Sequence, residues 1–72
     1  MKIFIPYSLN VEVNKIFTMQ TLQYGAGIDA KTGQEIFFDM RSGKDVVIHI
    51  DDDKWDEVEK MLRRDMVTFE KL

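Results

Sequence analysis

The chain has no cysteine, one proline, four glycines and one histidine in 72 residues. The missing cysteines exclude disulfides, thiolate metal sites and a thiol nucleophile together. Secreted domains of this size usually need disulfide staples, so their absence points to a reducing, cytoplasmic location. With so little proline and glycine, no stretch reads as a flexible linker, and there is no internal repeat. No hydrophobic run approaches the roughly 20 residues of a membrane-spanning helix. The apolar start Ile3-Phe4-Ile5 stops at Pro6, too short for the core of a secretion signal. Beginning at Met1, the chain reads as a complete short frame with no membrane partner.

What is present suffices for one core. Hydrophobic residues make up 44%, including five Phe, two Tyr and one Trp, which places the chain among folded sequences. Residues 1–72 are expected to form a single compact domain. Such a domain buries only about 60% of the surface its unfolded chain exposes. It would gain from a partner or a second copy, so a homodimer or a hetero-complex is expected. Net charge is −3 and unevenly spread. Residues 1–44 carry five bases and four acids; residues 45–72 carry five bases and nine acids. A basic stripe of the kind that grips nucleic acid is missing.

Residues 2–5 read as a strand ended by Pro6, and Tyr7-Ser8-Leu9-Asn10 as a turn. Over 11–24, Val11, Val13, Phe17 and Met19 alternate, and the β-branched residues favour a strand. A helix over 10–23, capped by Asn10, is the runner-up. Asp29-Ala-Lys-Thr-Gly33 reads as a hairpin turn, with Gly25-Ala26-Gly27 as a bulge beside it. Residues 35–50 read as a hairpin, with Ile36, Phe38 and Met40 on one face of its first strand. Val46, Ile48 and Ile50 share a face of its second, and 41–44 form the turn.

A helix over 53–64 follows, its stripe formed by Trp55, Val58, Leu62 and Met66. Asp53 or Asp52 would cap it, with Asp56–Lys60 and Glu59–Arg63 as ion pairs. Residues 66–70 read as a last strand. The expected fold class is α+β: a small antiparallel sheet of four or five strands with one C-terminal-half helix packed on one face. Trp55, Val58 and Leu62 should then pack on Ile36, Phe38, Val46 or Ile48.

The most biased stretch, 51–59, holds six acids and one base. Asp51, Asp52 and Asp53 with His49 offer the hard oxygen ligands that a divalent cation wants, but successive residues do not converge on one ion. Asp56, Glu57 and Glu59 instead form an acidic patch suited to a partner with a basic surface. His49 lies opposite in phase to Ile48 and Ile50, on the less buried face. Phe37 is out of phase with its neighbours, so with Val47 and Tyr24 it is expected to form an exposed apolar patch. Neither a phosphate loop nor a nucleophile motif is present.

These observations favour a non-catalytic interaction module without cofactor or metal. Its size and style match the inhibitors that phages and other mobile elements direct at host proteins, anti-defence proteins among them. The partner-binding residues expected are Asp56, Glu57, Glu59, Phe37, Val47 and Tyr24. A β-rich nucleic-acid binder and a metal protein using the acidic cluster are the alternatives.

Overall fold

A computed structural model describes all of residues 1–72. Strand β1 (Lys2–Ile5) leads into a 3-10 turn at Tyr7–Leu9. Helix α1 (Lys15–Gln20) runs directly into a π-helical turn, Thr21–Gly25. Helix α2 (Ala30–Arg41), strand β2 (Val46–His49), helix α3 (Asp52–Arg64) and strand β3 (Glu70–Lys71) complete the chain. The sheet has three strands in the order β2-β1-β3, antiparallel throughout. The fold is α+β with three helices and a three-stranded sheet, which corrects the expectation of four or five strands and one helix. No helix is long and apolar enough to cross a membrane.

The largest correction concerns residues 29–41. Asp29 does not open a hairpin turn. Its carboxylate accepts the Thr32 N–H at 2.9 Å and so caps the N-terminus of α2. Helix formers such as Ala30, Lys31, Gln34 and Glu35 follow it. The two-residue alternation of Ile36, Phe38 and Met40 is misleading. The buried stripe is Gly33, Ile36 and Met40, at spacings of three and four. Phe38 therefore points outward, 57% exposed, and is not part of the core under α3. Gly25-Ala26-Gly27 is likewise no strand bulge but the close of the π turn. A Cβ on Gly25 would sit 3.1 Å from the Met61 sulfur, so the missing side chain lets this turn approach α3.

Residues 11–24 follow the helical alternative rather than the strand. Asn14, not Asn10, is the cap: its side chain accepts the Phe17 N–H at 3.0 Å. Asn10 instead ties the chain's two ends together. Its Nδ2 donates to Pro6 O at 2.7 Å and Thr68 O at 2.9 Å, and its Oδ1 accepts the Thr68 N–H at 2.8 Å.

Helix α3 matches the sequence pattern at Trp55, Val58 and Leu62 but not at Met66, which lies beyond the helix and is largely exposed rather than on the buried stripe. Trp55, Val58 and Leu62 are buried in one core with Ile36, Val46 and Ile48. Ile3 and Ile5 of β1 join them, and Trp55 meets Phe69 edge to face at 5.5 Å. The helix begins one residue earlier than expected. Asp51 occupies the cap position without a side-chain bond. Asp52, one of the two expected caps, bonds instead to the Met1 amino group at 3.0 Å. The last strand is shorter than 66–70 and shifted to Glu70–Lys71, because Met66 and Val67 belong to the helix ending.

Candidate interaction surface

Helix α1 turns Ile16 and Phe17 outward, and its π turn puts Leu22 in the core but Tyr24 outside. The buried residues are Thr18, Thr21 and Leu22, while Ile16 and Phe17 are about half exposed and Tyr24 is 82% exposed. Burying a hydroxyl is tolerable only when it is hydrogen-bonded. Both threonines satisfy this condition. Thr18 Oγ1 donates to Asn14 O at 3.1 Å, and Thr21 Oγ1 donates to Asp65 Oδ2 at 3.1 Å. The aromatic side chains thus stay outside although a polar pair occupies the inner face.

Phe17 and Tyr24 line one wall of an open hollow of about 300 Å³, with Gln20 and Thr21 between them. The other wall is Met61 and Arg64 of α3. Phe, Tyr, Met and Arg are the residue types enriched at protein interfaces. Glu57 precedes Met61 by four residues, so it lies one turn away on that stripe of α3, outside the lining.

A second hollow of about 340 Å³ adjoins the first across the sequence pair Arg64-Asp65. Leu9, Val11 and Val13 line it on one side and Met66 on another. Arg64 Nε donates to Asp65 Oδ1 at 3.2 Å, which fixes the ridge between the hollows. Of nine large exposed hydrophobic residues, Leu9, Val11, Ile16, Phe17, Tyr24 and Met66 lie in or beside this band, so the exposed apolar surface is concentrated rather than scattered.

Met66 carries an additional mark. Helices α2 and α3 end in the same motif. In α2, Lys44 N–H bonds to Asp39 O and Gly43 N–H to Met40 O, with Gly43 at φ 86°. In α3, Val67 N–H bonds to Leu62 O and Met66 N–H to Arg63 O, with Met66 at φ 61°. The position calls for glycine because a Cβ is strained there. Met66 accepts that strain and leaves its side chain 82% exposed. Strain held by an exposed apolar side chain is a feature of functional surfaces.

The six residues expected from sequence do not form one site. Tyr24 lines the apolar hollow, and Glu57 is exposed one turn from Met61 on α3. Asp56 is exposed nearby on α3, while Glu59 is half-buried and bonded to Arg63 at 3.1 Å. Asp56–Lys60, the other expected ion pair, is not formed. Phe37 is not on a sheet face at all. It is a half-buried residue of α2, with its ring 5.7 Å from that of Phe38. Val47 is exposed on the outer sheet face, opposite Phe4 of β1, and its neighbour His49 is exposed on the same face.

Phe17, Met61, Arg64 and Met66 were not among the site residues expected from sequence, where Phe17 read as part of a strand and Met66 as part of the buried stripe of α3. The seven-residue spacing of Phe17 and Tyr24 was the available signal, hidden by the strand reading.

The acidic stretch does not gather ligands. No group of three or more His, Asp or Glu side chains is placed to hold a metal ion. The Asp52 carboxyl is held below its ordinary range, first by the hydrogen bond from the Met1 amino group, then by that group's charge. The Asp29 carboxyl is also lowered, first by its bond with Thr32. Compared with protein-family models, curated proteins and solved structures, the chain matches none.

Proposed function

We propose that the protein is a non-catalytic protein–protein interaction module whose docking face is the band around Phe17, Tyr24 and Met61. The observation that carries this is the inversion of α1. The fold buries threonines and leaves Ile16, Phe17 and Tyr24 outside. An aromatic side chain in water forgoes about 1.5–3 kcal/mol of burial. A partner that covers these rings recovers it. Exposed charge on α3 adds selectivity, with Glu57 and Asp56 facing a basic margin on the partner. Such a module suits an inhibitor or adaptor of a host protein, and size alone extends this to the small inhibitors carried by phages and other mobile elements.

The test is affinity capture from the native host's lysate, with the wild-type chain beside Phe17→Ser/Tyr24→Ser. Both changes replace exposed rings, so folding by circular dichroism should be unchanged. The wild type should retain a protein that the double variant loses. Asp56→Lys/Glu57→Lys should retain it more weakly, and less so as salt rises. Equal capture by the wild type and the Phe17/Tyr24 variant would refute the assignment of this face.

A further inference from the structure

We infer that a second copy of this chain pairs edge to edge with the first along β2, in an antiparallel register centred on Val47. Ladder geometry supplies the starting point. Ile50 N–H bonds to Met1 O at 2.8 Å, and the Met1 amino group bonds to Ile50 O at 2.8 Å. Pairing alternates along antiparallel strands. Ile48 and Val46 therefore exchange bonds with Ile3 and Ile5, their register partners. The N–H and C=O groups of Val47 and His49 point away from β1. Because β2 ends the sheet, no strand meets them. They form a short row of donors and acceptors, the template that a further strand fits.

The two sheet edges differ in how they are defended. At one, β3 is only Glu70–Lys71, charged and two residues long. Short, charged edges resist pairing. At the other, β2 is Val-Val-Ile-His, with no proline, lysine or bulge. Its Val47 side chain is 57% exposed. Only one edge therefore invites a partner strand.

The charge pattern suits a second copy and favours a register centred on Val47 over one centred on Ile48. A two-fold axis makes every contact reciprocal. Centred on Val47, the pairing sets Val47 against its own copy, where the two exchange both backbone bonds. Val46 then lies opposite Ile48 of the second copy, and His49 opposite Asp45. Tyr7 N–H already donates to Asp45 Oδ1 at 2.7 Å, so the imidazole can donate to the remaining Oδ2, and each pair occurs twice. Centred instead on Ile48, the pairing would set Asp45 against Asp51, and like charges directly opposite are unfavourable. This surface shares no residue with the Phe17–Tyr24 band, so the edge pairing stands whether or not that band meets a partner.

The experiment combines sedimentation with crosslinking on the full chain. The wild type should move from 8.5 kDa toward twice that mass as concentration rises. Val47→Pro removes a donor that faces away from β1, a place where an edge strand accepts proline, so the variant should keep its circular dichroism and remain monomeric. His49→Glu should weaken the dimer several-fold, by placing a second acid opposite Asp45. Because the chain has no other thiol, Val47→Cys should form a disulfide dimer under mild oxidation, whereas His49→Cys alone should not. A wild type that stays monomeric at every concentration would overturn the proposal, as would Val47→Pro dimerising like the wild type. Crosslinking only in a mixture of Val47→Cys and His49→Cys would overturn the register.

Discussion

Helices α3 and α1 belong to one small domain yet obey opposite rules. In α3 the apolar stripe Trp55, Val58 and Leu62 is buried and the charged side is exposed. In α1 and its π turn, hydroxyls are inside and aromatic rings outside. The first arrangement is what stability alone produces. The second gives up burial, and it does so where two hollows and a strained Met66 also lie. The contrast separates the half of the molecule whose apolar stripe is buried in the core from the half that gives the core Leu22 but leaves its rings in solvent.

That division can be tested by truncation. Leu62 has no exposed surface and sits in the middle of the core. Leu62→Ala should cost about 2–5 kcal/mol of unfolding free energy, from lost transfer energy and the cavity left behind. Phe17→Ser, on the exposed side of α1, should change it by less than about 0.5 kcal/mol. Urea titrations monitored by Trp55 fluorescence measure both. Equal losses would mean that the two helices do not divide the work as described.

Asn10 is where the two halves are joined. It is 2% exposed and bridges Pro6 to Thr68. Asn10→Ala would leave the Thr68 N–H and two carbonyls short of partners, at roughly 2 kcal/mol or more. Amide exchange should quicken first at Thr68. If exchange at Thr68 is unchanged, the bridge is not what holds the ends together.

What could be read from the sequence follows the same division. The stripe of α3 and the strands at 2–5 and 46–49 were legible because side-chain period and burial agree there. The helix at 30–41 was not, because Ile36, Phe38 and Met40 satisfy a two-residue alternation, while the true helical stripe begins at Gly33, which has no side chain to mark it. The deciding signal was Asp29 three residues before Thr32, which reads equally as a turn or as a helix cap. Helix α1 was illegible for a deeper reason. Its apolar residues face outward, so hydrophobic pattern pointed to the wrong side, and the π turn then broke the helical period before Tyr24. The acidic run gave the helix start but overstated a patch, since Asp52 and Glu59 are engaged by Met1 and Arg63. Of the candidate site, only Tyr24 was visible in advance, with the exposed acids of α3 beside it in the sequence reading.

The matched endings of α2 and α3 sharpen the comparison further. Gly43 and Met66 hold the same left-handed place, but only Gly43 suits it. Met66→Gly should stabilise the chain by about 0.5–1 kcal/mol, the strain relieved less the extra freedom of glycine when unfolded. It should also weaken partner capture, because the second hollow loses a wall. A gain in stability with undiminished capture would make Met66 a tolerated defect rather than part of the face.

The smallest effect expected lies at the start of α3. The Asp52 carboxylate accepts a hydrogen bond from the Met1 amino group at 3.0 Å, closing β1 onto the helix. Its folded pKa is lowered, first by that bond, then by the amino charge. A carboxyl with a depressed folded pKa adds stability above its unfolded value, about 3.9 for Asp. That contribution fades as pH falls through the lowered folded value, where both states become protonated. Asp52→Asn should therefore lower the melting temperature slightly at neutral pH, and the two curves should converge in acid. The pair is solvent-exposed, so added salt should shrink the difference at neutral pH as well. Thermal melts of both proteins across the acid range, at low and high salt, make the check. A difference that persists unchanged into acid would place the effect of Asp52 in helix packing rather than in its bond to Met1. The tie between β1 and α3 would then rest on the Met1 and Ile50 backbone alone.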